Sequence, residues 1–156
     1  MVDNTDQLRS QLGKALNVVT ALNGIKSFES LRQEYESIEK EFLESSDESD
    51  IQLCIKQRVS ERIFGDAVIN NCAIDDLERY FIKAAKLGFS CSDIRISSTI
   101  IYCQSLMNID RIAEAKKLLE DLLDFINEIE DANPGTFIKE TFVTLQSLIS
   151  QCKKQL

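Results

Sequence analysis

The chain has 156 residues, 44% of them hydrophobic and 28% charged, with one proline and five glycines. This composition is ordinary for a soluble globular protein, and the scarcity of proline and glycine leaves long stretches in which helices can form. Eighteen basic residues against 26 acidic residues give a formal net charge of −8. Because such a chain repels phosphate groups, we expect no non-specific binding to nucleic acid or to an anionic membrane.

The cysteines and the chain's hydropathy limit its compartment and its chemistry. Five cysteines stand at 54, 72, 91, 103 and 152, without a Cys-x-x-Cys pair, and there is no histidine. A zinc site is therefore not expected, and the thiols are predicted to pack as reduced, apolar side chains. No apolar run reaches the ~18 residues of a membrane span, and the start MVDNTDQLRS lacks a signal-peptide pattern. These features predict a cytosolic or nuclear protein without a cofactor.

Apolar residues recur at helical spacing in seven stretches, and no stretch has the alternation of a strand. The predicted helices cover residues 5–22, 28–44, 50–70, 73–87, 93–107 and 110–131, and Pro134 opens a seventh. Asn23-Gly24 is expected to end the first helix, and Ser92 to cap the fifth. We therefore predict an all-α fold of about seven antiparallel helices. The predicted single domain, 1–156, comprises an N-terminal helical hairpin (1–43), an acidic linker (44–50) and a helical stack with a capping helix (51–156).

The fifth helix differs from its neighbours in how its apolar residues are distributed. Ile96, Ile100, Cys103 and Met107 form one stripe, and further apolar residues, including Ile101, widen the apolar surface. A helix that is apolar over much of its circumference is buried on more than one side. The second and seventh helices carry single apolar stripes and charged backs, which is typical of outer layers.

A helix–turn–helix pattern occurs twice, at 53–88 and 92–127. Sliding the chain by 38 residues places Asn70 on Asn108, Ile74 on Ile112 and Phe81 on Leu119. With Ala115 opening a second helix, small or aromatic residues fall at matching places: Cys103 in that unit, and Gly65, Phe64, Phe81 and Ala84 in the preceding one. These positions resemble the tetratricopeptide repeat, a helix pair of ~34 residues. Leu77 and Leu122 depart from it, because the repeat has alanine at both places.

The resemblance implies a right-handed stack of helical hairpins whose helices cross closely at small residues, namely Ala115, Cys103, Gly65 and Ala84. An irregular helical bundle is the alternative fold. The stretch from Ala84 to Leu119 also resembles a pentatricopeptide unit, an RNA-binding relative of the same helix pair.

In a tetratricopeptide-like stack, the first helix of each pair lines the concave binding face. The resemblance therefore implies a partner-binding surface formed by Arg62, Asp66, Asn70, Ser97, Ile100, Gln104 and Asn108. These mostly polar residues suit hydrogen bonds to a peptide or helix of a partner protein. The predicted function is a non-catalytic interaction module, acting as an adaptor, chaperone or regulatory subunit. An RNA-binding pentatricopeptide-like protein and an enzyme or ligand-binding helical bundle remain the alternatives.

Catalysis finds little support in the residues. The chain lacks histidine, which proton transfer near neutral pH usually recruits, and its five glycines form no phosphate-binding loop. Ser45, followed by Glu48, matches an acidophilic kinase pattern, although a plain solvated linker is the favoured interpretation. A monomer is expected, with a homodimer through the first two helices as the alternative.

Overall fold

The computed structural model describes residues 9–10, 12–14, 16–17, 28–44, 46, 49–132 and 136–156. Within these ranges the chain forms seven α-helices and no strand, which confirms the all-α prediction. The first helix, α1, is described in part, at helical residues between 9 and 17. The others are α2 (Phe28–Phe42), α3 (Asp50–Ile69), α4 (Ile74–Lys86), α5 (Ser92–Asn108), α6 (Ile112–Ala132) and α7 (Thr136–Gln155).

The helix ends follow local sequence signals to within a few residues. Ser49 caps α3, because its hydroxyl accepts a hydrogen bond from the Gln52 backbone N–H at 3.3 Å. Ser92 is the first residue of α5 rather than its cap, a shift of one residue. The predicted signals at Asn23-Gly24, Ser45 and Pro134 lie outside the described residues.

Three helices end in the same capping structure. Asn71, Gly88 and Asp110 follow α3, α4 and α5 with φ values of 54°, 86° and 64°. After α3, the Cys72 N–H donates to the Ala67 carbonyl at 3.0 Å, and corresponding bonds follow the other two helices. These are Schellman caps, which satisfy the last carbonyls of each helix and reverse the chain. The two predicted helix–turn–helix segments are therefore both present, while tetratricopeptide-like stacking stays a prediction.

The chain divides into two compact units, an N-terminal unit (Met1–Arg95) and a C-terminal unit (Ile96–Leu156), with the boundary inside α5. In the N-terminal unit, α3 packs against α2 and against α4. Three pairs of residues join α2 to α4: Arg32 with Asp76, Tyr35 with Tyr80, and Glu39 with Lys83. The residue numbers of both partners rise together from one pair to the next. The two helices therefore run parallel to each other, with α3 antiparallel to both.

An aromatic cluster and the hydrogen bonds of two α3 side chains hold the turn after α4. Phe81 packs against Phe64 at 5.7 Å and against Phe89 at 6.0 Å between ring centroids. Gln57 of α3 donates to the Leu87 carbonyl at 2.7 Å, and the buried Glu61 carboxylate accepts from the backbone N–H and the hydroxyl of Ser90. The turn is thereby tied to α3 by both apolar and polar contacts.

In the C-terminal unit, α6 packs against α7. The buried side of α6 is a helical stripe, Ala115, Leu119, Leu122 and Ile126, and Leu145, Ile149 and Cys152 form the buried side of α7. Leu156, which follows α7 at the same helical spacing, is 67% exposed and lies outside this buried side.

The small residues of the repeat-like positions have different surroundings. Ala84, Cys103 and Ala115 are completely buried, which agrees with their assignment to packed positions. Gly65 is only half-buried, and a Cβ built on it would meet no atom within 4 Å. The prediction of a close helix crossing at Gly65 is therefore wrong, and the completely buried small residue on that turn of α3 is Ala67.

The open space at Gly65 makes Gly65→Ala a stabilising change. Glycine inside a helix loses more backbone entropy on folding than alanine, so we expect a gain of about 0.5–1 kcal/mol in the free energy of unfolding. Urea denaturation followed by circular dichroism measures this gain. A loss of stability in Gly65→Ala would mean that another helix does cross closely at Gly65. The matched control is Ala67→Gly, a change at a completely buried position, which we expect to destabilise the protein.

Candidate functional site

The three predicted binding residues of α3 have different roles in the N-terminal unit. Arg62 is exposed and lines a cleft of about 170 Å³. Asp66 and Asn70 are half-buried, and the Asn70 side-chain amide donates to the Asp66 carbonyl at 2.8 Å and to its carboxylate at 3.2 Å. Asp66 also accepts a hydrogen bond from the Tyr35 hydroxyl. Asp66 thus already joins α2 to α3 through Tyr35, and Asn70 is bonded to Asp66 at the end of α3.

Two further contacts join α2 to α4. Tyr35 is completely buried and meets Tyr80 edge to face, with 5.3 Å between ring centroids. Arg32 of α2 makes an ion pair with Asp76 of α4 at 2.8 Å. Burial, followed by the hydrogen bond to Asp66, raises the pKa of Tyr35, so its hydroxyl keeps its proton and serves as a donor. Burial likewise raises the pKa of the neighbouring Cys72 thiol, which disfavours the nucleophilic thiolate. These contacts therefore hold α2, α3 and α4 together, and Cys72 beside them is not an activated nucleophile.

Three of the four predicted residues of α5 lie on an exposed surface in the C-terminal unit. Ser97, Gln104 and Asn108 are exposed and follow one another at spacings of seven and four, which places them on one side of the helix. Ile101 lies in the same row between Ser97 and Gln104 and is 40% exposed. We call these four residues the α5 surface: two amides, a hydroxyl and an aliphatic side chain, without a charged group.

The opposite side of α5 is firmly anchored. Its buried residues are Ile96, Ser98, Thr99, Tyr102, Cys103 and Leu106, a wide arc that agrees with the prediction of burial on more than one side. Burial raises the pKa of the Cys103 thiol to about 12, so Cys103 acts as an apolar packing residue. The α5 surface therefore projects from a helix whose position is held by its buried side.

The exposures of Ile100 and Ile101 differ from those that the sequence predicts. Ile100 was assigned to the exposed face and is half-buried, whereas Ile101 was assigned to the wide apolar side and is exposed. Helical spacing contains the signal, because 97, 101, 104 and 108 follow the alternation of fours and threes that marks one helix side. The repeat-derived register selected position 100 instead.

Two features, a metal-binding group of side chains and a membrane-spanning helix, are absent from the described part of the chain. Within it, no three cysteine, aspartate or glutamate side chains are grouped so that they could hold a metal ion. None of the described helices combines the length and hydrophobicity needed to cross a bilayer. Comparison of the chain with protein-family models, curated proteins and solved structures finds no match.

Proposed function

We propose that this protein is a non-catalytic interaction module that binds a peptide or helix of a partner protein through the α5 surface. The observation that carries the proposal is the exposed row of Ser97, Ile101, Gln104 and Asn108 on a helix whose other side is buried. An aliphatic anchor flanked by hydrogen-bonding groups on a rigid support is the kind of surface that loses little entropy on binding.

The chemistry of this surface favours a protein as its partner. Amide side chains both donate and accept hydrogen bonds, so Gln104 and Asn108 match the mixed polarity of a peptide backbone or of uncharged side chains. A surface without a cation, in a chain of net charge −8, gains little from contact with phosphates. The module would serve as an adaptor, chaperone or regulatory subunit, as its tetratricopeptide-like sequence features imply.

The location and assembly state belong to the same proposal. All five cysteines are free, three of them buried, which suits a reducing compartment such as the cytosol or nucleus. We propose a monomer that meets its partner there, because the α5 surface needs no second copy of the chain to complete it.

The test replaces the two amides together, as Gln104→Ala plus Asn108→Ala, and compares capture of partner proteins by quantitative mass spectrometry. We expect the partner's affinity to fall by about fivefold or more, equivalent to about 1 kcal/mol, because buried hydrogen bonds are lost. The matched control is Gln146→Ala plus Gln151→Ala, which removes two exposed amides from α7 and should leave capture unchanged.

Two results would contradict this proposal. Equal capture by the Gln104/Asn108 variant and the wild-type protein would show that the partner binds elsewhere. Salt-sensitive retention of random single-stranded RNA in a filter-binding assay would favour the pentatricopeptide-like alternative, because that binding depends on phosphate neutralisation.

A further inference from the structure

A cleft of about 290 Å³ lies where α2 and α4 end in the N-terminal unit. It is lined by Glu39, Leu43, Glu44, Lys83, Lys86 and Leu87. Leu43 and Leu87 are half-buried and give the cleft an apolar part, while Glu44 and Lys86 are exposed at its polar part. Its volume is at the lower end of the range for small-ligand pockets, enough for a short peptide segment.

Glu39 is the unusual residue of this cleft. Its side chain is 7% exposed, and one carboxylate oxygen pairs with the Lys83 ammonium. The other oxygen, Oε1, is buried and has no hydrogen-bond partner among the described residues. An unpaired buried acceptor is costly, so a donor supplied by a bound molecule would stabilise the site. The last torsion of a glutamate side chain is soft, which allows Oε1 to turn toward an occupant of the cleft.

The exposed side of α4 next to Glu39 is basic, although the whole chain is acidic. Arg79 and Lys86 are exposed, and Lys83, which pairs with Glu39, lies half-buried between them at helical spacing. Ile82 in the same row is 41% exposed. Lysines in a last helical turn also interact favourably with the helix dipole. The helix dipole can explain why lysines stand at the end of α4. It does not explain the apolar lining of the cleft or the unpaired oxygen of Glu39.

We propose that this cleft binds a short peptide segment in which an aliphatic residue stands beside a single acidic residue. The aliphatic side chain packs between Leu43 and Leu87, a backbone N–H donates to Glu39 Oε1, and the acidic side chain pairs with Lys86. The exposed Glu44 carboxylate at the cleft repels a second acidic residue, which limits the segment to one. This site is separate from the α5 surface and does not rest on the function proposed for it.

The probe for the test is the blocked dipeptide acetyl-Leu-Asp-amide, titrated into the full ¹⁵N-labelled chain. We expect saturable shifts of the backbone amide signals of Leu43, Lys83, Lys86 and Leu87, with a dissociation constant of about 1 mM, because the probe is small. Acetyl-Leu-Asn-amide should bind about two- to fivefold more weakly, since an exposed ion pair is worth little more than that. Acetyl-Leu-Lys-amide, which cannot pair with Lys86, should bind more weakly than acetyl-Leu-Asp-amide.

Variants assign the binding to individual groups. Lys86→Gln should weaken the dipeptide's affinity by about two- to fivefold. Glu39→Gln should also weaken it, because one of the two carboxylate oxygens becomes an NH2 group, which cannot accept a hydrogen bond. Lys154→Gln removes an exposed lysine of α7 and is the matched control, expected to bind like the wild-type protein. Glu39→Gln leaves Lys83 without a carboxylate partner, so the circular dichroism spectrum of this variant is first compared with that of the wild-type protein. If Glu39→Gln unfolds, Lys86→Gln provides the test.

Three outcomes overturn the proposal: no shift at the cleft, equal shifts from the aspartate and lysine probes, or unchanged affinity in Lys86→Gln. The Gln104→Ala plus Asn108→Ala variant should bind acetyl-Leu-Asp-amide with wild-type affinity. Failure of the cleft proposal is thereby distinguished from failure of the function proposed for the α5 surface.

Discussion

Tyr35→Ala is expected to lower the free energy of unfolding by about 3–5 kcal/mol, the usual range for removing a large ring from a core. Tyr35 is completely buried, packs edge to face against Tyr80 and donates a hydrogen bond to Asp66. Tyr35→Phe keeps the ring and removes only the hydroxyl, so it should cost about 1–2 kcal/mol. Denaturant titrations of the two variants separate the packing contribution of Tyr35 from its hydrogen bond.

Gln33→Ala, on the exposed side of α2, is the control and should stay within about 0.5 kcal/mol of the wild-type protein. A Tyr35→Phe variant as stable as the wild-type protein would mean that the hydrogen bond to Asp66 contributes nothing to stability.

The alkaline range supplies a second measurement on Tyr35. Burial and Asp66 raise the pKa of Tyr35 in the folded protein above its ordinary value of 10.0. The stability that this shift contributes is present below pH 10 and is lost as the pH rises above it. The wild-type protein should therefore lose stability above pH 10 more steeply than Tyr35→Phe.

Ala115→Leu is expected to lower the free energy of unfolding by about 1–3 kcal/mol, because extra methyl groups overpack a filled core position. Ala115 is completely buried at the start of the stripe by which α6 is packed. Thermal denaturation measures the effect, and a loss of this size corresponds to several degrees in the melting temperature of a chain this long.

The matched control for Ala115→Leu stands two residues away. Ala113 is exposed on the same helix, so Ala113→Leu makes the same chemical change without a neighbour to displace. We expect its stability to remain within about 0.5 kcal/mol of the wild-type protein. If Ala115→Leu and Ala113→Leu have the same melting temperature, the core near Ala115 has room for a larger side chain. Close packing would then not explain why residue 115 is small.

Local signals in the chain predicted most of the helices. The second helix was predicted to carry a single apolar stripe, and Leu31, Tyr35 and Ile38 are buried at that helical spacing in α2. The ends of α3 and α4 were placed within about a residue, because turn residues and the loss of apolar periodicity act over a few neighbouring residues. Such information is short-range and can be read from one stretch of chain at a time.

The candidate sites could be predicted only in part. The polar row of Ser97, Gln104 and Asn108 follows from helical spacing, but which isoleucine accompanies it depends on how α5 is rotated toward its core. The cleft where α2 and α4 end was not predicted. Glu39 and Lys83 are 44 residues apart in the chain, and their pairing depends on how the two helices pack. The five glutamates of α2 give no sign in the sequence that one of them is buried.

The sequence by itself thus determined the helical class, the order of the helices and most of their buried sides, since 3.6-residue periodicity and capping residues encode these locally. Tertiary structure alone decided three further features: the open space at Gly65, the bond between Tyr35 and Asp66, and the unpaired oxygen of Glu39. Each of them depends on which atoms of distant segments meet, or fail to meet, when helices pack. Helical periodicity states which side of a helix is buried, but the partner atoms that bury it are specified only in the folded chain.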